Sequence, residues 1–144
     1  MAYRTQFFPQ NKQKYVGDSQ KIICRSLWER TVCKFCDDHP SIMKWSSEEI
    51  AIPYFHPIDN RVRNYYPDFL IQFQQKEKLC LWMVEVKPKK QTILKENATK
   101  NEKYTWVVNN AKWEAAKNYC TKNNIEFKLL TEKELYNKCH LHKI

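Results

Sequence analysis

Two apolar runs, residues 69–73 and 79–86, are separated only by the polar stretch Gln74-Gln75-Lys76-Glu77-Lys78, and this arrangement limits the fold more than any other feature of the chain. Both runs have strand length and strand composition, and a polar turn that short makes them consecutive strands of a meander. An acid marks the edge of each run. Asp68 follows Tyr66-Pro67, and Glu85 stands in Met83-Val84-Glu85-Val86-Lys87. Aspartate is disfavoured in strands, and an unpaired charge at the end of an apolar run is costly, so both acids call for a partner. Side chains alternate along a strand, which returns Lys87 to the face of Glu85. If the two strands are neighbours, two acids and a lysine are presented together, a set suited to one divalent cation. The alternative for Glu85 and Lys87 is a simple strand-end ion pair.

The rest of the chain extends this hairpin into an α/β unit. Residues 1–17 carry no period and read as an extended arm ending at Val16-Gly17. With Asp18 or Ser19 as N-cap, the spacing of Cys24, Leu27, Trp28, Thr31, Val32 and Phe35 predicts a helix to about Asp37, stopped by His39-Pro40. Residues 48–55 read as a first strand, with Ile50, Ile52 and Tyr54 on one parity, and residues 65–73 and 79–86 as the next two. Residues 89–103 are charged and without period, a loop or lid. A second helix is expected from Trp106 or Asn109 to Lys122, then a strand over 125–130 and a last short helix opened by the capping box Thr131-Glu132-Lys133-Glu134. The order is αβββαβ, a mixed four-stranded sheet flanked by helices. Its last strand lies parallel to a neighbour through a right-handed crossover. The domain is expected over 18–138, with a short tail at 139–144. A single glycine leaves the turns to Asn, Asp, Pro and Lys.

Composition narrows the partners. The 144 residues make one domain able to bury a core without staples, and 25 Lys plus Arg against 16 acids give a net charge of +9. Such an excess favours a polyanion, nucleic acid first, with an acidic protein or membrane surface behind it. The first fifteen residues hold no signal-peptide core, and no apolar run approaches a membrane span, so a soluble cytosolic protein is expected. Six cysteines then read as reduced thiols. Cys33-x-x-Cys36 with His39 and the terminal Cys139-His140-Leu141-His142 offers zinc-ligand types, but Cys33 and Cys36 fall inside the helical pattern, which argues against a zinc site.

Pro67-Asp68 on strand two and Glu85-Val86-Lys87 on strand three of an αβββαβ unit resemble the PD-(D/E)XK nucleases, the restriction-endonuclease-like superfamily. Further segments are similar to the head completion nucleases of T4-like bacteriophages: Arg25-Ser26-Leu27-Trp28-Glu29, Trp45-Ser46-Ser47-Glu48 with Ile52-Pro53-Tyr54-Phe55, Glu85-Val86-Lys87-Pro88-Lys89-Lys90, and Lys112-Trp113-Glu114-Ala115-Ala116. The resemblance spans about 18–135. It extends, more distantly, to the endonuclease subunit of Tn7-type transposases.

The resemblance implies an Mg²⁺- or Mn²⁺-dependent endonuclease that hydrolyses DNA phosphodiester bonds while a packaged phage head is completed. Asp68, Glu85 and the Val86 carbonyl would be metal ligands, with Lys87 acting on the attacking water. Glu29 matches the first-helix acid of many members; the plain alternative is a helix-surface ion pair with Arg25, four residues earlier. Glu48 matches the phage pattern and is a secondary candidate beside a solvated strand start. DNA contacts are expected from Arg25, Lys89, Lys90 and Lys95, and from Arg61 and Arg63 on the hairpin turn. Tyr65, Tyr66, Tyr104 and Trp106 are candidates for base stacking, whereas Lys112, Lys117 and Lys122 read as a solvated helix face. Other phage head or neck proteins are expected partners, in the host cytoplasm during assembly or on the virion. A dimer is compatible with the sequence, which names no dimer face. Two alternatives stand beside this reading: a structural DNA-binding head protein with a vestigial nuclease fold, and a transposon- or repair-type endonuclease.

Overall fold

A computed structural model describes residues 3–137. Strands β1 (Thr5–Gln6) and β2 (Ile23–Cys24) pair antiparallel and precede helix α1 (Leu27–Asp38). The helix starts later than the spacing predicts, because Ile22 and Cys24 are buried as extended chain and Ser26 is the true N-cap, its side chain accepting from the Glu29 amide. The expected arm is not free of the domain. Phe7 and Tyr15 are buried, both ring-on-edge against Trp45, and the Val16 amide donates to the Trp45 carbonyl. Gly17 turns the chain at φ +126°, a conformation that strains any side chain, while the Glu49 carboxylate 2.5 Å from a Cβ would have to swing aside.

The strand expected over 48–55 is only in part a strand and lies outside the central sheet, whose first strand precedes it. Strand β3 (Ile42–Ser47) belongs to the central sheet, and β4 (Ile52–His56) pairs with β5 (Arg61–Tyr65) in a separate hairpin. Between them Glu48 adopts φ +54°, which no strand tolerates. The stretch predicted as one strand over 65–73 also breaks. Tyr65 closes β5, Tyr66-Pro67-Asp68 links the two, and β6 (Phe69–Gln75) opens after Asp68 and runs antiparallel to β7 (Lys78–Val86). Asp68 therefore lies at the entry of its strand, not within it.

Helix α2 (Lys100–Lys122) starts earlier than expected. Thr99 and Glu102 form a full capping box that the charged, aperiodic first turn conceals. The loop or lid expected over 89–103 is accordingly shorter, and it begins with a 3-10 turn at Lys89–Gln91. Strand β8 (Glu126–Leu130) and helix α3 (Glu132–Asn137) complete the chain. The sheet order is β3-β6-β7-β8, antiparallel except for β8, which lies parallel to β7 as expected.

Alternation divides the core between the two sheet faces. Trp45, Phe69, Ile71, Phe73, Val84 and Val86 pack with Val32, Cys33 and Cys36 of α1, with Leu135, and with Phe7 and Tyr15. On the opposite face Met83 packs with Trp113, Ala116 and Cys120 of α2 and with Ile52, Tyr54 and Tyr65 of the hairpin. The ends of β6 and β7 thus sit between two buried layers, a rigid mount for the acids that follow. Phe7→Ala should lower the unfolding free energy by about 3 kcal/mol in urea titration, the value for a core aromatic; an unchanged midpoint would mean that the arm does not belong to the core.

Candidate active site

The register of β6 and β7 brings the first two acids together. Phe69 pairs with Val84, so the next step of the ladder sets Asp68 beside Glu85. Asp68 Oδ2 accepts a 2.7 Å hydrogen bond from the Val86 amide, tying the entry of β6 to the end of β7. Glu29 arrives from the first turn of α1, where its Oε1 accepts from the Arg25 amide at 3.2 Å. Glu48 arrives from the end of β3, its left-handed backbone directed so that its amide donates to the Asp68 carbonyl at 3.2 Å. A non-glycine residue at positive φ costs about 1 kcal/mol or more and is a recurrent feature of functional sites. Carboxylate oxygens of Glu29, Glu48 and Asp68 lie within 4.8 Å of one another.

Glu85 stands beside this trio and is held by partners of its own. Its Oε2 accepts from the Tyr65 hydroxyl at 2.5 Å, and its Oε1 lies 3.6 Å from Lys87 Nζ, so the strand-end ion pair is present. Arg25 does not pair with Glu29, contrary to the plain alternative; its guanidinium grips Glu48 at 2.9 and 3.2 Å.

Electrostatically the acids are crowded. Burial, then the charges of Glu85 and Glu29, push the Asp68 pKa well above its ordinary value. Burial also raises Glu29 and Glu85, with Tyr65 and Lys87 opposing the rise at Glu85. Several acids sharing a desolvated corner favour either protons or a cation. Burial and the Glu85 charge raise the Tyr65 pKa, which keeps its hydroxyl a donor.

Of these acids Glu48 and Glu85 open onto a cleft of about 290 Å³, lined also by Arg25, Asn64, Tyr65, Tyr66 and Lys112. Lys112 is not the solvated residue expected: it is half-buried, with Nζ 6.0 Å from the Tyr54 ring centre and 5.9 Å from that of Tyr65. Lys117 and Lys122 are exposed as expected. Lys112 was legible in its spacing to Ala115, Ala116 and Tyr119, which puts it on the apolar stripe of α2. Tyr65 is buried on Glu85 instead of being available to stack, whereas Tyr66 is exposed on the cleft.

The basic residues expected at DNA are dispersed. Arg61 and Arg63 lie within β5, not on the turn, and are exposed; Arg63 pairs with Asp59. Lys90 and Lys95 line a second groove, against the first turns of α2, and the Lys89 amide donates to Glu132. Cys33 and Cys36 are fully buried in α1, the Cys33 sulfur 3.4 Å from that of Cys24, and no disulfide forms among the described cysteines. The Cys139, His140 and His142 cluster lies outside the described residues. No described helix is long and apolar enough to cross a membrane.

The αβββαβ unit, with acids gathered at the ends of its central strands, defines the class as restriction-endonuclease-like. Residues 39–132 match the family model of the TnsA-like endonuclease N-terminal domain. Over 142 residues the chain is 38% identical to the head completion nuclease of Enterobacteria phage T4, covering 92% of this chain and 93% of that protein. The chain belongs to this endonuclease family, as the sequence resemblance implied.

The raised pKa values set a sign for stability. As pH rises above the ordinary carboxylate values of 3.8 for Asp68 and 4.5 for Glu29 and Glu85, the unfolded chain ionises first. Metal-free protein therefore loses stability with rising pH until the native acids ionise too. In EDTA, Asp68→Asn should flatten this fall in melting temperature and melt higher than wild type at neutral pH. Superimposable profiles would contradict the crowding.

Proposed function

We propose that the chain hydrolyses DNA phosphodiester bonds with Mg²⁺ or Mn²⁺ while DNA-filled phage heads are completed. The observation that carries this is the gathering of carboxylate oxygens of Glu29, Glu48 and Asp68 within 4.8 Å of one another, with Glu85 one ladder step from Asp68 and with Glu48 and Glu85 on the cleft, in a strongly basic chain. Oxygen donors at this spacing, on acids that burial leaves short of positive charge, suit a hard divalent cation. Asp68, with Glu29, Glu48, Glu85 and the Val86 carbonyl, would hold it. Bound there, such a cation polarises the phosphoryl oxygen and makes water a better nucleophile.

The chain's own groups do the remaining work. Lys87, beside Glu85, orients the attacking water and offsets charge growing on the phosphate. Tyr65 fixes the Glu85 carboxylate by holding Oε2, leaving Oε1 toward Lys87. With Arg25 held by Glu48 and Arg63 by Asp59, the phosphate contacts fall to Arg61, Lys89, Lys90 and Lys95, which position DNA without reading its sequence. Head or neck proteins of the phage are the proposed partners in the host cytoplasm.

Supercoiled and linear DNA, incubated with Mg²⁺, Mn²⁺ or EDTA, test the reading. Cutting should require the metal, and Asp68→Asn or Lys87→Ala should slow it by about 10²-fold or more. Identical products from wild type and Asp68→Asn under every condition would instead favour a structural head protein with a vestigial nuclease fold.

A further inference from the structure

The cleft holds a cation that forms no ion pair with the acids, although the charge of Glu85 is near enough to act on it. Lys112 projects from the middle of α2, and its ammonium rests over the faces of Tyr54 and Tyr65 at 6.0 and 5.9 Å. Arg25 is committed to Glu48, and Lys87 lies 3.6 Å from Glu85. Among the described residues no carboxylate lies within ion-pairing distance of Lys112. A half-buried ammonium without a paired anion is costly, and two aromatic faces and the more distant Glu85 offset only part of that cost. The same open cleft is lined by Tyr66 and Asn64 as well as by Glu48 and Glu85, so the ammonium offers an entering phosphate a positive group beside the acids.

We propose that Lys112 is a substrate-positioning residue that takes a non-bridging oxygen of a DNA backbone phosphate entering the cleft, with Tyr54 and Tyr65 holding its ammonium in place. This rests on the nuclease reading of the site. It assigns α2, which packs on the sheet face that carries Met83 and Glu85, a direct part in holding DNA. It also gives Tyr65 two functions, since one ring carries the hydroxyl that holds Glu85 and the face that holds Lys112.

A purely structural Lys112 would neutralise the nearby acids without touching DNA. The two roles separate in the salt dependence of binding, because each phosphate neutralised contributes about 0.9 to the log–log slope. The experiment measures binding of a labelled DNA duplex by the full chain carrying Asp68→Asn, in EDTA and in Mg²⁺, over a range of salt. Adding Lys112→Met should weaken binding about five- to tenfold and reduce the slope by about one, whereas Lys112→Arg keeps the slope. Lys117→Met, exposed on the same helix, should leave it unchanged. If Lys112→Met does not fold, as judged by its melting curve, Lys112→Gln is read in its place. An unchanged slope in the Lys112 variant, or an equal fall in Lys117→Met, overturns the proposal. Cleavage by the wild-type chain is scored separately, so failure of the nuclease reading is told apart from failure at Lys112.

Discussion

The hydrogen bond from the Val86 amide to Asp68 is the constraint on which the site depends. It crosses from the end of β7 to the entry of β6 one step past the last ladder pair, where the backbone no longer fixes the register. A carboxylate that accepts from a strand amide is held by the sheet itself, and here both sheet faces are packed, by α1 on one side and α2 on the other. Glu85 is aligned by the same ladder. Glu48 depends on it as well, since its amide donates to the Asp68 carbonyl. Three of the four acids thus take their positions from one short stretch of backbone pairing, and Glu29 is added by the capped first turn of α1.

The arrangement opposes stability. Burial raises the pKa of Asp68, Glu29 and Glu85 together, so at neutral pH the metal-free fold holds acids whose ionisation it disfavours. Glu48 adds a left-handed backbone. Crowded acids at one end of an otherwise well-packed sheet are hard to explain by stability alone and agree with divalent-metal use in this endonuclease family. The positive groups are divided around this corner: Arg25 on Glu48, Lys87 on Glu85, and Lys112 between two tyrosines.

Where the sequence carried a strong period, the fold could be read from it. The hairpin of β6 and β7, the parallel last strand and the acids at the strand ends follow from alternation, a short turn and misplaced charge. Three features were concealed. Strand β3 reads Ile42-Met43-Lys44-Trp45-Ser46-Ser47, whose buried serines break the apolar alternation. The start of α2 is fixed by a capping box, not by an apolar face. The N-terminal arm has no period because Phe7 and Tyr15 are isolated anchors on Trp45, a tertiary contact that local spacing cannot encode. At the candidate site, the meeting of Asp68, Glu85 and Lys87 was legible from residue type and position, and Glu29 entered through the resemblance. The full membership of Glu48 was not, since it depends on a left-handed turn, and the partnership of Tyr65 with Glu85 depends on a hairpin inserted between the sheet strands.

The central claim is that these acids gather to hold a divalent cation through Asp68. Anomalous diffraction from crystals of the chain grown with Mn²⁺ tests it most directly. The account predicts a peak within about 2–2.5 Å of the Asp68 carboxylate, shared with Glu29, Glu48 or Glu85, and absent in Asp68→Asn. A cleft without a peak at saturating Mn²⁺, or a peak that persists unchanged in Asp68→Asn, would contradict it.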